Sequence, residues 1–83
     1  MLKITPELII RLHREAIDRG NDEEQSLRDA IRDWGCIPTI CYGDDFFDDS
    51  FKRASYYLHR IATRHPFMEG NKRTAFMTAA FII

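Results

Sequence analysis

Apolar residues recur at helical spacing in the first part of the chain and predict a helix over residues 6 to 19. Thr5 can cap the free N–H groups of its first turn, and Pro6 suits the first helical position, where its missing N–H costs nothing. Gly20 and Asn21 form a stop signal. The apolar positions of this helix are Leu8, Ile9, Leu12, Ala16 and Ile17.

Two further stretches have the same period. A second helix is predicted from a cap at Ser26 to Gly35, with Leu27, Ala30, Ile31 and Trp34 on one face. A third is predicted from Asp49 or Ser50 to His65, where Pro66 ends it. Its expected core-facing stripe contains Phe51, Ala54, Ser55, Leu58, Ile61, Ala62 and His65.

Between these helices the segment CIPTICYGDDFFDD, residues 36 to 49, shows no helical period. It reads as an irregular loop or as a short hairpin around Gly43 and Asp44. Long loops inside small domains often have a function, but a plain connector whose Phe46 and Phe47 fill the core explains the pattern equally well.

A fourth helix is predicted from an N-cap at Asn71 to the end of the sequence, and it is almost wholly apolar after Thr74. Such a helix is normally buried, so we expect it to be covered either by further helices missing from this polypeptide or by another chain. The prediction is a single all-α domain over residues 1 to 83, with about four helices and one irregular loop, truncated after the fourth helix.

Composition narrows the partners. The 83 residues carry 12 Lys and Arg against 13 Asp and Glu, a net charge of -1 that favours neither nucleic acid nor a membrane surface. Without a membrane-length apolar run or a signal peptide, the chain is expected in the cytoplasm. Cys36 and Cys41 are expected to stay reduced; a disulfide or a zinc site with two histidines are weaker alternatives.

The stretch HPFMEGNKR, residues 65 to 73, places cations where a helix disfavours them. A helix N-terminus carries partial positive charge, yet Lys72 and Arg73 fall in the first turn of the fourth helix. A bound anion resolves the conflict, and phosphate fits best because the N–H groups of Gly70, Asn71 and Lys72 can contact its oxygens.

Nearby residues could supply the remaining chemistry. His65 titrates near neutral pH and could accept a proton from an attacking hydroxyl, and a carboxylate such as Glu69 beside phosphates suits a magnesium ion. Asn71 could orient a phosphate oxygen or the nucleophile. Each residue alone could equally be an ordinary structural or surface residue, as we expect for His13 and His59.

At this point the stretch resembles the signature of the Fic/Doc family, His-x-Phe-x-Asp/Glu-Gly-Asn-x-Arg. The matching positions are His65, Phe67, Glu69, Gly70, Asn71 and Arg73, and ITPELIIRLH near the start extends the resemblance. It implies an all-helical core that uses ATP or a related nucleotide, with Mg²⁺, to modify a hydroxyl of a protein. Fic members transfer AMP, whereas the Doc branch, the toxin of a toxin-antitoxin pair, transfers the terminal phosphate.

Fic enzymes usually have Gly after the motif Asn and a second Arg three residues beyond the first, where this chain has Lys72 and Phe76. Both departures resemble Doc. The resemblance therefore implies a kinase-like toxin with elongation factor Tu as candidate target and an antitoxin as candidate partner. It also implies roles for site residues: His65 as base, Glu69 on magnesium, and Gly70, Asn71, Lys72 and Arg73 on the nucleotide. Residues 36 to 47 lie where the family has a target-holding flap.

Two alternatives remain. One is a Fic-type transfer of AMP to a protein hydroxyl. The other is a catalytically inactive module that binds a partner or a second copy of itself through the apolar last helix.

Overall fold

The computed structural model describes residues 3–18 and 31–83, and the described chain is helical with no β-strand. In chain order the helices are α1 (Pro6–Asp18), α2 (Cys36–Gly43), α3 (Ser50–Arg64) and α4 (Asn71–Ile82), with a 3-10 turn over Asp44–Phe46 after α2. The all-α prediction is confirmed. In the described ranges no helix is long and apolar enough to cross a membrane.

Helix α1 forms as its sequence predicts. The Oγ1 atom of Thr5 accepts a hydrogen bond from the Leu8 N–H at 3.1 Å, which caps the first turn ahead of Pro6. The buried face of α1 consists of Ile9, Leu12, His13, Ala16 and Ile17. This face adds His13 to the predicted apolar positions, and the imidazole is fully buried.

The predicted second helix lies mostly outside the described residues, including its cap at Ser26 and the positions Leu27 and Ala30. The part that is described is not helical, so the prediction is wrong there. Ile31 forms an isolated antiparallel β-bridge with Phe67, and Trp34 is 65% exposed. The main chain of this segment is bonded to the loop before α4 and therefore cannot make helical hydrogen bonds.

The prediction of an irregular loop or a hairpin over residues 36 to 49 is also wrong, because residues 36 to 43 form α2. Pro38 did not prevent this helix, since it occupies the first turn, where an N–H has no helical partner. The Cys36 N–H is instead bonded to Asp33 Oδ1 at 3.2 Å. Ile37 and Ile40 then face the core, and an interpretation of this segment as an extended flap does not fit a helix.

Helix α3 starts where predicted, since the Asp49 carboxylate accepts hydrogen bonds from the N–H groups of Phe51 and Lys52. The predicted stripe is partly wrong, however. Phe51 is 72% exposed, and Ser55 and His65 are also exposed. The buried line is shifted by one position and consists of Arg53, Ala54, Tyr57 and Ile61. This buried line includes two polar residues, Arg53 and Tyr57, because both donate hydrogen bonds to the Asp44 carboxylate.

Helix α4 packs against α3 and α1. Its buried face consists of the small residues Thr74, Ala75, Thr78 and Ala79, whereas the large apolar residues Phe76 and Phe81 are exposed. Small side chains let α4 approach its neighbours closely. The hydroxyls of Thr74 and Thr78 are satisfied by donating, at 2.8 Å, to the carbonyls of Gly70 and Thr74.

The core joins these elements around the loop between α3 and α4. Its buried members are Ile4, Ile9, Ile37, Ile40, Tyr57, Ile61, Phe67 and Ala75. Phe67 belongs to that loop and is fully buried. The loop that carries residues 65 to 70 of the motif is therefore anchored in the core by its own aromatic side chain.

Candidate functional site

The end of α3 presents His65 to solvent. His65 is the C-cap of α3 and adopts a left-handed conformation with φ 52° and ψ 59°. A non-glycine residue in this region is uncommon, and here it turns the chain sharply out of the helix ahead of Pro66. The prediction that His65 ends a core-facing stripe is corrected: its side chain is exposed.

The segment before α2 holds the carbonyl groups of residues 64 to 66 at the end of α3 through hydrogen bonds. Arg32 Nη1 donates to the carbonyl oxygens of Arg64 and His65, at 3.4 and 3.1 Å. The Pro66 carbonyl accepts hydrogen bonds from the N–H groups of Arg32 and Asp33, at 2.8 and 3.0 Å. A guanidinium at the C-terminal carbonyls of a helix is also favoured by the helix dipole. The backbone position of His65 is thus set by a cation from outside the motif.

The motif Asn71 closes the loop from its other end. Asn71 Oδ1 accepts from the Phe67 N–H at 3.0 Å, and its Nδ2 donates to the Phe67 carbonyl at 2.9 Å. The prediction that Asn71 is the N-cap of the fourth helix is wrong. The N-cap is Gly70, and Asn71 is the first helical residue. Its amide makes these two bonds to the loop backbone, and its main-chain N–H, in the uncapped first turn of α4, can also contact a ligand.

Gly70 adopts φ +79°, where only glycine is unstrained. It also lies tightly against α1: a Cβ at this position would be 2.8 Å from Cδ1 of Ile17. Gly70 thus allows the start of α4 to rest directly on α1. No side chain caps this helix N-terminus, so its first-turn N–H groups remain able to bond an anion.

Arg73 links the start of α4 to the end of α1. Its Nη1 donates to the Ala16 carbonyl at 3.1 Å. The guanidinium has five N–H donors, so this bond fixes its position and still leaves it part of the local positive charge. Lys72 and Glu69 are both exposed.

These residues meet around one cleft of about 380 Å³, lined by His65, Met68, Glu69, Gly70, Asn71, Lys72 and Arg73. All six residues predicted as site residues line it. The cleft combines an exposed imidazole, a carboxylate, two cations and an uncapped helix N-terminus. This set can bind an anion, and it has a group that can accept a proton beside it.

Comparison with known proteins agrees with the motif. The chain matches the sequence model of the Fic/DOC family over residues 3–83. It belongs to the Fic/DOC family. No curated protein and no solved structure matches it. Members of this family modify proteins by transferring part of a nucleotide, and the match does not distinguish between the branches of the family.

Sequence reasoning missed two residues that contact the family motif from outside it. One is Arg32, described above. The other is His13 of α1, whose Nε2 lies 2.8 Å from the Glu69 carbonyl oxygen and whose ring stacks on Phe67. A histidine among the apolar positions of an amphipathic helix was the available signal for the latter. Arg32 gave no signal, because it was read as part of a helix.

Among the described residues, the cleft contains one carboxylate, that of Glu69, which is a ligand type that magnesium prefers. In residues 3–18 and 31–83 no group of three or more His, Cys, Asp or Glu side chains is positioned to hold a metal ion. Magnesium does not require such a group, since it commonly binds through one carboxylate, several waters and the oxygens of a bound phosphate. The exposed Glu69 carboxylate lines the cleft and could supply that one carboxylate.

Proposed function

We propose that this chain is a Doc-like protein kinase, which transfers the terminal phosphate of ATP to a hydroxyl group of a target protein. The observation that carries the proposal is the cleft at the start of α4, where Lys72 and Arg73 accompany uncapped main-chain N–H groups. The two cations and the uncapped N–H groups together suit a phosphate chain, although the net charge of the whole chain is -1.

The identities of two residues favour phosphate transfer over AMP transfer. Phe76 stands where Fic enzymes usually have a second arginine, and this residue is 64% exposed on α4. A phenyl ring offers no hydrogen-bond donor to a phosphate. With Lys72 supplying a point charge in place of the usual glycine, the positive charge is concentrated at the very start of α4. The terminal phosphate is then the group held there.

In the proposed mechanism His65 accepts the proton of the target hydroxyl as its oxygen attacks the terminal phosphorus. An O–P bond forms, the bond from that phosphorus to the bridging oxygen breaks, and ADP leaves with the electron pair. The N–H groups of Gly70, Asn71 and Lys72, with the Lys72 and Arg73 side chains, hold the phosphate oxygens and offset their charge. Glu69 would hold a magnesium ion, which supplies further charge neutralisation.

The target and the partners follow from the resemblance to Doc. Elongation factor Tu is the first protein to test as substrate, and an antitoxin segment is the first to test as inhibitor. Both belong to the proposal and depend on the kinase reading.

The test is incubation of the protein with Mg²⁺ and a cell lysate, using ATP labelled on either the alpha or the gamma phosphate. The His65→Ala variant should lose transfer by about 10² to 10⁴-fold, the usual contribution of a general base. His59→Ala is the matched control, because it removes an exposed imidazole from the same helix at a position that does not line the cleft.

We expect gamma label on a protein band that requires His65 and not His59. Alpha label with the same requirement would replace phosphate transfer by AMP transfer. Equal labelling by both variants would refute the role of His65. If wild-type protein transfers neither label, the catalytic proposal fails.

A second candidate function is favoured by the exposed apolar residues of α4. Phe76 and Phe81 of α4, and Ile83 directly after it, are 64%, 45% and 78% exposed. Such a face can bind a second copy of the chain. Light scattering over a concentration series tests this, and a monomer at all concentrations would exclude self-association.

A further inference from the structure

His13 contacts the site loop from the interior, through two different parts of its ring. The side chain is fully buried, and its plane lies nearly parallel to the Phe67 ring, at 4° with the centroids 3.7 Å apart. Its Nε2 is 2.8 Å from the Glu69 carbonyl oxygen. A carbonyl can only accept, so Nε2 carries the proton and donates it.

This hydrogen bond determines which way the peptide between Glu69 and Gly70 faces. The described chain contains no cis peptide bond, so the Gly70 N–H points opposite to the Glu69 carbonyl. Because the carbonyl points inward to His13, the Gly70 N–H points away from the interior. That N–H is one of the donors expected to contact a phosphate.

Gly70 cannot hold this orientation by itself. Glycine populates positive and negative φ about equally, so its value of +79° needs an external constraint. The bond from His13 supplies one, and α1 is a well-packed helix from which to supply it. The same bond also restrains the backbone from which the Glu69 carboxylate extends.

We propose that His13 is a positioning residue of the nucleotide site, which holds the Glu69–Gly70 peptide so that the Gly70 N–H and the Glu69 carboxylate are presented to the phosphates. This inference rests on the proposed function for its consequence in catalysis. The geometry of the loop can be tested separately.

The first measurement uses the wild-type protein without nucleotide. NMR of the ¹⁵N-labelled imidazole should show His13 as the Nε2–H tautomer, with an NOE from that proton to the loop. Finding the Nδ1–H tautomer would overturn the inference, and this outcome does not depend on whether any variant folds or on whether the protein is an enzyme.

The second measurement compares two variants. His13→Phe keeps an aromatic ring against Phe67 but removes the donor, whereas His13→Gln places an amide N–H near the position of Nε2. We expect His13→Phe to lower kcat for phosphate transfer by about 10 to 100-fold, the usual effect of losing a partner that orients a ligand. His13→Gln should restore most of it, and KM for the target protein should change little.

A purely structural role predicts a different result. Both variants would then lose activity in proportion to their fraction unfolded at the assay temperature, with no rescue by glutamine, and that result would overturn the inference. If the wild type lacks transferase activity, the proposed function fails and the backbone order parameters of residues 68 to 71 decide instead. Increased mobility in His13→Phe but not in His13→Gln would support positioning, and equal order in both would refute it.

Discussion

Replacing Gly70 by alanine tests the close packing of the site on α1. The new Cβ would lie 2.8 Å from Cδ1 of Ile17, well inside van der Waals contact. Ile17 is fully buried, so its side chain cannot move aside into solvent. The substitution also forces a non-glycine residue to adopt φ +79°.

The two effects can be given magnitudes. A left-handed conformation costs an L-residue roughly 1 to 2 kcal/mol. Overpacking a filled core costs about 1 to 3 kcal/mol, and the lower half of that range applies because the contacted atom is the end of a side chain. Gly70→Ala should therefore lower the free energy of unfolding by about 2 to 4 kcal/mol, a large share of the stability of a domain this small.

The assay is urea unfolding followed by circular dichroism, with midpoint and slope fitted separately. The loss should appear as a lower midpoint with an unchanged slope, since the surface exposed on unfolding is the same. Gly35→Ala is the matched control: its φ is -68°, and the nearest atom to a new Cβ is Asp33 Oδ1 at 3.7 Å. Because alanine adopts this backbone conformation without strain, we expect no loss of stability and a gain of at most about 1 kcal/mol.

Ile17→Val separates the steric part from the conformational part, because it removes the Cδ1 atom that the new Cβ would meet. Alone it should cost about 0.5 to 1.5 kcal/mol. In the Gly70→Ala background the added cost of Ile17→Val should be smaller than its cost in the wild type. The difference between the two costs is a coupling free energy of about 1 kcal/mol. If Gly70→Ala and Gly35→Ala are equally stable, or if the two substitutions at 17 and 70 simply add, the reasoning is refuted.

Other parts of the structure lead to four more predictions. Asp44 accepts hydrogen bonds from Arg53 Nη2 at 2.6 Å and from the Tyr57 hydroxyl at 2.9 Å, and all three residues are buried. Asp44→Ala should therefore lower the free energy of unfolding by about 3 to 5 kcal/mol, because it leaves the buried Arg53 without this carboxylate. The double variant Asp44→Ala with Arg53→Met should lose less. Burial acts to raise the pKa of Asp44, but the hydrogen bonds from Arg53 and Tyr57 outweigh burial, and the pKa is lowered. The stabilisation is therefore present above the pKa of the unfolded state and is lost as the pH falls through the pKa of the folded state. The urea midpoint should decline between pH 7 and pH 2, and it should decline more steeply than in the double variant. Asn71→Ala, which leaves the Phe67 N–H and carbonyl without their partner, should cost about 1 to 3 kcal/mol, and a stability equal to that of Lys72→Ala would contradict this. Burial raises the pKa of the Cys41 thiol to about 11, so only about one molecule in a thousand is thiolate at pH 8. Iodoacetamide should therefore alkylate Cys41 far more slowly than free cysteine. Timed labelling followed by peptide mapping by mass spectrometry measures this rate, and a fast reaction would contradict the prediction.

The sequence could predict α1, the start of α3 and the approximate position of α4, because each depends on local signals: a capping side chain, an apolar period or a proline. It could not predict α2. The pattern of that segment is short, and its fate depends on whether Ile37 and Ile40 find a core to pack against. The register of the buried face of α3 depended on tertiary contacts too, since Arg53 is buried only because Asp44 lies opposite.

At the site, the motif identified which residues lie together but not what each side chain does. It did not show that the Asn71 amide bonds the Phe67 backbone. Nor did it show that His13, which we expected to be a structural or surface residue, is fully buried and contacts the loop at Glu69. Hydrogen bonds between distant segments decide such questions, and a linear pattern does not contain them.

The site divides its residues into two groups that should respond differently to mutation. Asn71, His13 and Arg32 bond the main chain of the loop between α3 and α4 and thereby fix its path. His65, Glu69 and Lys72 extend from that fixed path, and all are exposed. Substituting an exposed side chain should change ligand binding or transfer with little effect on the unfolding free energy. Substituting a residue of the first group should change both, because the same hydrogen bonds hold the fold and aim the site. Unfolding and nucleotide binding should therefore be measured in parallel for variants at all six positions. If the loop backbone forms the binding site, substitutions of Asn71, His13 and Arg32 will weaken binding. If the cleft is only a feature of the surface, nucleotide binding will not depend on these three residues.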